Sequence, residues 1–309
     1  MSQKTFLLID GHALIYRCFF GFPKELTTPT GQLINAVYGF SRILLTVIQN
    51  LEPTHIAVAF DHPKPTMRHK EFEAYKANRP TMPEELQSQI GIIKSVVEAL
   101  NIPQFEIEGY EADDLIGTIN RTIESLDKEL LTVILTGDKD MFQLVDNDTH
   151  VYMPGRGKFQ TDKEYDIQAV KEKMGVAPDQ VPDLKGLMGD SSDNIPGVKG
   201  IGPKTAAALI QSFKTVAGVY QALEADQESP IFTPSVKKKL ITDKESALVS
   251  KELATIITDA PIKFVLEDCR VSSYNKQTIA DLFTELNFKS LISLLPQDAF
   301  ETSVQEALF

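Results

Sequence analysis

The sequence predicts an α/β protein in which a mainly parallel sheet is covered by helices and followed by a second, largely helical module. Short β-type runs alternate with helical patterns through the first half of the chain, as in parallel α/β folds. From about residue 165 onward the pattern becomes helical, with short pieces separated by Gly, Pro and polar turns. With 309 residues and 42% hydrophobic content, the chain can bury the core that this architecture needs.

Each element of the first half has its own signal. The candidate strands are TFLLID (5–10), HIAVAFD (55–61), LTVILTGD (131–138) and, as a further candidate, THVYM (149–153). Residues 35–51 predict a buried helix, and a second helix is expected after Pro83, where apolar residues recur at helical spacing: Leu86, Ile90, Ile93, Val97 and Leu100. We interpret these apolar stripes as core.

The second half predicts mostly helices. They are expected at YDIQAVKEKMG (165–175), TAAALIQSF (205–213), TVAGVYQALE (215–224), KESALVSKELATII (244–257) and TIADLFTELNF (278–288). IKFVLE (262–267) is a candidate final strand, and residues 296–309 are expected to extend away from the domain. No long internal repeat or low-complexity tract interrupts this pattern.

Composition excludes several classes of protein. The longest apolar run at the amino terminus has four residues, and nothing later approaches the roughly 18 apolar residues of a membrane span, so we expect a cytoplasmic protein with no membrane partner. Cys18 and Cys269 are far apart in the sequence and lack metal-ligand spacing, which indicates packing residues rather than a disulfide or zinc site.

The formal net charge of −12 at first argues against a nucleic-acid ligand, because DNA-binding proteins usually carry a basic balance. That argument fails if the acids are concentrated in one place. Without the nine carboxylates identified below, the net charge of −12 would be only −3, and local basic surfaces could still bind phosphate. Divalent cations would neutralise much of the remaining negative charge.

Acidic residues recur at positions where a parallel sheet would bring them together. Asp10, Asp61 and Asp138 each end a candidate strand, and ligands of open α/β sheets gather at the carboxyl ends of the strands. Any one of these acids could simply cap a helix or lie in a solvated turn. The combination is harder to explain in that way, because further acids open a helix in GYEADD, alternate in TGDKD and stand three apart in GDSSDN: Glu111, Asp113, Asp114, Asp140, Asp190 and Asp193.

Clustered carboxylates repel one another unless cations compensate them, and hard divalent ions prefer oxygen ligands. Because no His or Cys accompanies these acids in the sequence, they favour Mg²⁺ or Mn²⁺ over zinc. Two such ions about 4 Å apart suit phosphodiester hydrolysis, since they lower the pKa of an attacking water and stabilise the leaving oxygen.

Two further segments could bind nucleic acid. The first, residues 63–80, interleaves basic and aromatic side chains, a mixture suited to binding a single strand: Lys64, Arg68, Lys70, Phe72, Tyr75, Lys76 and Arg79. Such a run could also be a solvated face.

The second segment is GVKGIGPKTAAALI (197–210). It is not an ATP-binding P-loop, because Pro203 stands where that motif needs Lys. We interpret it as a glycine hairpin between two helices that binds a DNA phosphate, or as a simple capping turn: Gly197, Lys199, Gly200, Gly202, Lys204 and Thr205.

The assembled motifs resemble the 5′ nuclease family, and especially the amino-terminal 5′→3′ exonuclease domain of bacterial DNA polymerase I. The resemblance runs in matching order through LLIDGHALIYR, AVYGF, FDHPKPTMRHKEFEAYKANRPTMPEEL, GYEADD, TGDKD, GDSSDNIPGVKGIGPKTA and FKSLISLL, nearly the whole chain. It implies a PIN-like core at 1–172 with a helical arch at about 63–100. It further implies a helix-three-turn-helix DNA-binding region and carboxyl-terminal helices at 173–295, and a tail at 296–309.

The resemblance also implies roles for single residues. One metal group is expected around Asp10, Asp61, Glu111 and Asp113, and a second around Asp138, Asp140, Asp190 and Asp193, with Asp114 in the outer sphere. Lys76 and Arg79 are expected to contact the scissile phosphate as catalytic residues, Arg17 to steer the 5′ strand, and Tyr75 to stack on an unpaired base. The glycine hairpin is expected to hold a monovalent ion such as K⁺ through backbone carbonyls.

The implied function is a monomeric, structure-specific 5′ nuclease, acting as exonuclease and flap endonuclease on branched or 5′-flap DNA beside a fused or separate DNA polymerase. The alternatives are a non-catalytic DNA-binding scaffold, which the full set of acids disfavours, and an RNA-directed nuclease of the PIN type. The last five residues, QEALF, resemble short peptides that bind the sliding clamp, with contacts expected from Gln305, Leu308 and Phe309.

Overall fold

Six strands form a single sheet in a computed structural model that describes residues 4–28, 30–155, 161–271, 274–297 and 301. The strands are β1 (Lys4–Asp10), β2 (His55–Ala59), β3 (Gln104–Phe105), β4 (Leu130–Leu135), β5 (Thr149–Met153) and β6 (Lys163–Tyr165), in the spatial order β3-β2-β1-β4-β5-β6. All neighbours are parallel except β5 and β6. The four candidate strands are therefore confirmed, and two short edge strands are added.

Thirteen α-helices in the described residues surround this sheet. In the first half they are α1 (Gly11–Gly21), α2 (Asn35–Leu51), α3 (Met67–Glu71), α4 (Glu84–Ala99) and α5 (Ala112–Leu126). The second half contains α6 (Ile167–Met174), α7 (Val181–Met188), α8 (Pro203–Phe213), α9 (Val216–Glu224), α10 (Pro234–Thr242), α11 (Lys244–Ala254), α12 (Lys276–Glu285) and α13 (Lys289–Ile292). Short 3-10 helices occur at Asp140–Leu144, Pro178–Gln180 and Leu266–Cys269. The change to helical structure after β6 agrees with the sequence pattern.

Alternating side chains of β1 divide the core into two layers, as the period of a strand requires. Phe6 and Leu8 face α5 and the helices α6 to α11, whereas Leu7 and Ile9 face α1, α2 and α4. Both faces of the sheet are buried, which explains why β1, β2 and β4 read as nearly continuous apolar runs. α12 and α13 return to the second layer, where they pack against α4 and α2.

The prediction of a strand at residues 262–267 is wrong. In the described part of the chain, residues 262–265 form no regular element, and a 3-10 helix begins at Leu266. The alternating apolar residues arise because Phe264 packs on the face of the sheet, with ring centroids 6.0 Å from Phe6 and 6.0 Å from Phe105. Periodic burial against a sheet therefore produced the pattern of a strand without strand pairing.

The segment before α4 also differs from expectation. The resemblance implied a helical arch at about 63–100, but α3 has only five residues, and turns follow it through residue 79. α4 is a core helix, because Leu86, Ile93, Val96 and Val97 are fully buried against α2. In this structure the basic segment, residues 63–80, contacts Glu111 and Asp193 through Lys76 and Arg79. In the described ranges, no helix combines the length and apolar character that a membrane span requires.

Candidate metal centre and nucleic-acid interface

Asp10 is the last residue of β1 and lies at the carboxyl edge of the sheet. Its carboxylate accepts hydrogen bonds from the Ala13 N–H at 3.0 Å and from the Thr136 hydroxyl at 2.7 Å. The first bond caps α1, and the second ties the tip of β1 to the residue that follows β4. Because Asp10 is only 3% exposed, neutral donors fix its carboxylate away from bulk water.

Asp61 follows β2 and reaches the first turn of α5, where its carboxylate accepts the Ala112 N–H at 2.8 Å. His12 lies beside it, because Nδ1 of His12 accepts the Asp61 backbone N–H at 2.9 Å. The expectation that no histidine accompanies the acids is therefore wrong. The signal was the sequence Asp10-Gly11-His12, which places the ring on α1 next to the strand tips. Burial lowers the pKa of His12, which favours the neutral ring.

Glu111 and Asp113 come from the start of α5. Glu111 is the N-cap residue, and its carboxylate accepts the Tyr75 hydroxyl at 3.1 Å and lies 2.8 Å from the Lys76 ammonium. Asp113 lies in the first turn, near the tips of β1 and β4. Burial raises the pKa of Asp113 well above its ordinary value, and the charges of Asp10 and Asp138 raise it further.

The loops after β4 and α7 hold the remaining carboxylates. Asp138 accepts the Asp140 backbone N–H at 2.9 Å, which folds the TGDKD turn. Asp190 exchanges two backbone hydrogen bonds of 2.8 Å with Ile195, and these bonds close a tight loop that also carries Asp193. Asp190 and Asp193 therefore share a tight turn, rather than the helix that the sequence spacing suggested.

Lys185, which the sequence reasoning did not identify, joins the two loops. Its ammonium donates to Asp140 and, at 2.5 Å, to Asp190. Burial lowers the pKa of Lys185, but the two carboxylates outweigh burial and hold the pKa above its ordinary value. Burial raises the pKa of Asp140 to about 7, with a contribution from Asp138 that Lys185 partly offsets. A lone Lys in the helical pattern of α7 gave no signal of this position.

Lys76 and Arg79 form ion pairs with acids of the site, and their predicted contact with a scissile phosphate stays a prediction. The Lys76 ammonium is 2.8 Å from Glu111 and 3.9 Å from Asp193, and the Arg79 guanidinium donates to Asp193. The Lys76 backbone N–H donates to the Asp193 carbonyl at 2.9 Å, so the turn is fastened to the loop after α7. The Arg79 side chain is 47% exposed and remains accessible to a ligand.

Some acids of this site have a basic partner and others have none. Among the described residues, no lysine or arginine forms an ion pair with Asp10, Asp113 or Asp138. Burial raises the pKa of Asp10 to about 7, opposed by the bonds from Thr136 and Ala13. Buried carboxylates that repel one another are an oxygen-rich environment for a hard divalent cation, which would favour their ionised forms.

Within the described ranges, no three Asp, Glu, His or Cys side chains converge closely enough to enclose one ion. Basic side chains occupy part of this space: Lys185 lies between Asp140 and Asp190, Lys76 lies between Glu111 and Asp193, and Arg79 pairs with Asp193. The oxygen donors fit Mg²⁺ or Mn²⁺, but these side chains would have to shift before the ligands could close around it.

Asp114 does not belong to this group of carboxylates. It is 1% exposed and forms two hydrogen bonds of 2.8 Å with Arg68, and it also accepts the backbone N–H groups of Glu111 and Ile257. Its carboxylate is therefore occupied by structural hydrogen bonds and is not available for direct coordination in this structure, and its expected outer-sphere role stays a prediction. Arg68 is 7% exposed and donates also to the Leu253 and Thr255 carbonyls, so its predicted DNA contact is wrong for this structure.

Tyr75 is also buried, at 3% exposure, with its hydroxyl directed at Glu111. It cannot stack on a base without leaving this position, which contradicts the predicted role for the structure as it stands. Lys70 is exposed at the end of α3. Its predicted contact with DNA stays a prediction.

Arg17 lines a cavity of about 1070 Å³ beside the carboxylates. Its guanidinium donates to the carbonyls of Pro154 and Gly155, the latter at 2.6 Å. Asp138, Asp140 and Asp190 line the same cavity, which therefore opens directly onto the acids. Arg17 thus shares a cavity with three of the acids, and its predicted steering of a strand stays a prediction.

The glycine hairpin has the backbone that its sequence suggested. Gly197 and Gly200 have positive φ angles of 61° and 83°, a region that L side chains rarely adopt. A Cβ at Gly197 would lie 2.2 Å from the Gly189 backbone nitrogen, so Gly is also required there by close packing. Gly202 is the N-cap residue of α8, has a φ of −92°, and a Cβ added to it would meet nothing within 4 Å.

Basic side chains surround the outer edge of this hairpin. Lys199 and Lys204 are exposed, and Thr205 is half-buried at the start of α8. Lys239, which the sequence reasoning missed, donates from α10 to the Gly200 carbonyl at 2.9 Å. An ammonium group thus already contacts one hairpin carbonyl. Gln305, Leu308 and Phe309 lie outside the described residues.

Two family models match consecutive parts of the chain. The model of the "5'-3' exonuclease, N-terminal resolvase-like domain" matches residues 5–175, and that of the "5'-3' exonuclease, C-terminal SAM fold" matches residues 176–277. The first covers the sheet with its helices, and the second covers α7 to α11 with the glycine hairpin.

The chain is similar to the DNA polymerase I of several bacteria. It is 40% identical to that of Bacillus subtilis over 308 residues, which cover 99% of this chain and 34% of that protein. It is 42% identical to that of Caldicellulosiruptor bescii, with 94% of this chain and 33% of that protein covered. The chain therefore spans about a third of the length of the curated relatives that it matches.

Solved structures share the fold. T5 5′-exonuclease with bound zinc ions has a TM-score of 0.65 at 21% identity, covering 95% of this chain and all of the other. The catalytic core of Rad2 with a DNA substrate has a TM-score of 0.61 at 18% identity, covering 94% of this chain and 93% of the other. Flap endonuclease-1 from Methanococcus jannaschii has a TM-score of 0.57 at 16% identity, covering 95% and 91%. The chain belongs to the 5′-3′ exonuclease family, with a PIN-like, resolvase-type domain followed by a helical SAM-fold domain.

Proposed function

We propose that this chain is a structure-specific 5′ nuclease that hydrolyses DNA phosphodiesters as a 5′→3′ exonuclease and flap endonuclease. The observation that carries the proposal is the meeting of three strand tips, the start of α5 and the loop after α7 in one acidic site beneath Lys76 and Arg79. The family supplies the reaction class, and among proteins that share the fold, Rad2 is known in complex with a DNA substrate and T5 5′-exonuclease with divalent metal ions.

The proposed metal ligands fall into two groups. Asp10, Asp61, Glu111 and Asp113 would hold one divalent ion, Mg²⁺ or Mn²⁺, and Asp138, Asp140, Asp190 and Asp193 would hold the second. When bound, such ions lower the pKa of the attacking water and stabilise charge on the leaving oxygen. Asp114 is left out of both groups because Arg68 and backbone N–H groups use its carboxylate.

Lys76 and Arg79 would supply positive charge to the scissile phosphate. In this structure they neutralise Glu111 and Asp193, and both sit on the turn that follows α3. When cations compensate the acids, these two side chains become available to phosphate oxygens at the same place. Arg17 would orient the 5′ strand from the neighbouring cavity wall.

The glycine hairpin would hold the duplex part of the substrate. Exposed backbone at Gly200 and Gly202 can approach a phosphate closely, and Lys199, Lys204 and Thr205 add side-chain donors. A monovalent ion such as K⁺ could bind hairpin carbonyls, in competition with the ammonium of Lys239 at Gly200. Such contacts read backbone and branch shape rather than base sequence.

In the cell, the proposed task is the removal of RNA primers and displaced flaps during DNA replication and repair. We propose a cytoplasmic monomer, with a nuclease core to about residue 172 and a DNA-binding region after it, acting with a fused or separate DNA polymerase. The polymerase relatives support this partner because they contain the same domain within a longer chain.

The terminal QEALF is proposed to bind the sliding clamp, with Gln305, Leu308 and Phe309 as the contacting residues. Immobilised clamp should retain the full chain and release a version that lacks residues 305–309. Equal retention of both would remove this part of the proposal.

Cleavage of a 5′-flap DNA tests the main proposal. Asp138→Ala and Asp190→Ala should each abolish cleavage with Mg²⁺ while leaving flap binding in Ca²⁺ largely intact, because each removes a ligand without touching the hairpin. Asp146→Ala is the matched control, since Asp146 is exposed before β5, at the other edge of the sheet. Full activity in either site variant would exclude the two-metal assignment.

A further inference from the structure

Lys185 is a buried lysine in the interior of α7. Its side chain is 4% exposed, and its ammonium contacts carboxylates of two different elements, Asp140 at the start of a 3-10 helix and Asp190 in the loop after α7. Lysine is almost never this buried unless it is paired. The side chain therefore has a specific electrostatic role at this point of the site.

Packing of α7 fixes the position of this ammonium. Leu184 and Leu187, on either side of Lys185, are 2% and 0% exposed. The neighbouring Gly186 faces α11 so closely that a Cβ there would lie 2.8 Å from the Lys251 Cβ. The Leu187 carbonyl accepts the Val198 N–H at 2.8 Å, which ties α7 to the glycine hairpin. Because the helix cannot turn or slide easily, Lys185 is held between the two carboxylates.

The two proposed metal groups consequently differ in charge. In the second group, Lys185 compensates Asp140 and Asp190 from within the protein. Arg79 also pairs with Asp193, so three of the four acids of the second group have a basic partner. In the first group, Glu111 pairs with Lys76 at 2.8 Å and lies 3.4 Å from Arg68, whereas no lysine or arginine of the described ranges pairs with Asp10, Asp61 or Asp113. A divalent ion gains less electrostatic energy from carboxylates that a fixed ammonium already neutralises, and it is also repelled by that ammonium.

We propose that Lys185 weakens divalent-ion binding at the second carboxylate group, so that the first group fills at low metal concentration and the second only at higher concentration. Lys185 is thus a positioning residue that separates the affinities of the two groups. It keeps the Asp140 and Asp190 loops assembled before the second ion arrives. This inference rests on the proposed function, because it concerns the same two metal groups.

Binding of Mn²⁺ to the full chain, without DNA, tests this inference directly. Electron paramagnetic resonance of free Mn²⁺ gives the number of bound ions and their dissociation constants. The wild type should show one tight and one weak ion. Lys185→Met should lower the weak constant at least roughly 10-fold, equivalent to about 1.4 kcal/mol, and leave the tight constant unchanged. Lys185→Arg keeps the charge and should behave as the wild type.

The matched control is Lys251→Met, which removes a lysine from the adjacent helix α11. Lys251 pairs with Asp183 at 2.8 Å and does not contact the proposed ligands, so both Mn²⁺ constants should stay as in the wild type. An unchanged or raised weak constant in folded Lys185→Met overturns the inference and leaves the proposed function intact. A wild type that binds no Mn²⁺ overturns the proposed function itself.

If Lys185→Met unfolds without metal, circular dichroism supplies the second measurement. Recovery of helical signal at Mn²⁺ concentrations below the weak constant of the wild type supports the inference, because an ion then replaces the missing ammonium more effectively. Failure to recover at millimolar Mn²⁺, while Lys185→Arg folds normally, overturns it.

Discussion

Arg68 and Asp114 form a buried ion pair that joins three parts of the chain. The guanidinium of α3 contacts the carboxylate of α5 and the carbonyls of Leu253 and Thr255 at the end of α11. We expect Arg68→Met to lower the free energy of unfolding by about 3–5 kcal/mol, because it leaves the Asp114 carboxylate buried without its cationic partner. Urea denaturation of the purified chain measures this loss.

Lys70→Met is the control for this prediction, since Lys70 is exposed two residues further along the same helix. Its effect should remain within about 0.5 kcal/mol, as for ordinary surface positions. If Arg68→Met were instead as stable as the wild type but bound flap DNA more weakly, Arg68 would be a DNA contact after all.

His55 provides a test of stability against pH. It is 7% exposed, and its Nε2 is a buried side-chain atom without a hydrogen-bond partner among the described residues. Burial lowers the pKa of His55 from 6.5, the positive charges of Arg270 and Lys4 lower it further, and the carboxylates of Glu267 and Asp127 partly offset this. Because the unfolded chain binds a proton more readily, stability is fully present above about pH 6.5 and falls as the pH drops towards the folded pKa.

The measurement compares wild type with His55→Phe, which keeps an aromatic ring stacked near Phe6. Between pH 8 and pH 5.5, the wild type should lose at most about 1.4 kcal/mol more than the variant. Identical pH profiles would show that His55 does not titrate differently in the folded and unfolded chains.

Most of the acids could be identified from the sequence because they follow a recognisable strand or open a helix, and Asp190 and Asp193 because they recur in the short motif GDSSDN. The basic residues that pair with these acids could not be identified from the sequence. Lys185 lies in an ordinary helical pattern, and Arg68 stands in a basic run that also suits a DNA contact, so only tertiary packing separates a buried partner from an exposed one. Tyr75 and His12 were misjudged for the same reason, since burial of a polar aromatic side chain depends on its neighbours in space.

At the scale of elements, the glycine hairpin combines two glycines of different purpose. Gly197 is needed for its positive φ and for close contact with Gly189, whereas Gly202 faces open space. Gly197→Ala should destabilise the fold by more than about 2 kcal/mol, because the backbone is strained and the Cβ meets another backbone. Gly202→Ala should change stability by less than about 0.5 kcal/mol.

Gly202→Ala, which should leave stability unchanged, is expected to affect DNA binding. If the hairpin approaches a phosphate at Gly202, Gly202→Ala weakens flap binding several-fold while its melting temperature is unchanged. Fluorescence anisotropy with a labelled flap in Ca²⁺ measures this affinity. Undiminished binding by Gly202→Ala would place the duplex elsewhere on the protein.

Long elements with a clear period were predictable, and short or unusual ones were not. Residues 35–51 form the expected helix because its apolar stripe faces the sheet. β3 and β6, with two and three residues, depend on neighbouring strands rather than on their own sequence. Residues 63–83 were expected to belong to an arch, but their conformation depends on Lys76 and Arg79 reaching the acidic site, a contact that no local pattern encodes.

At the scale of the whole molecule, the net charge of −12 reflects a concentration of acids at one edge of the sheet. Folding therefore brings together carboxylates that the unfolded chain keeps apart, and burial of Asp10 and Asp113 adds to this cost. Stability is sacrificed at the site where function needs negative charge, and divalent ions are expected to restore it.

Thermal unfolding of Asp113→Asn tests this trade between stability and function. In EDTA at pH 8, the variant should melt at a higher temperature than the wild type, because an ionised Asp113 is penalised by burial and by Asp10 and Asp138. In Mn²⁺ at about 100 times its dissociation constant, the wild type should gain about 2.7 kcal/mol per bound ion, and the variant should gain less. Added Mn²⁺ should therefore reduce or reverse the difference, so that the melting temperature of the wild type approaches or exceeds that of Asp113→Asn.

Glu98→Gln, at an exposed position of α4, is the control and should melt like the wild type under both conditions. A lower melting temperature for Asp113→Asn in EDTA would mean that the Asp113 carboxylate stabilises the fold, and the acidic edge would then not be a cost that metal relieves.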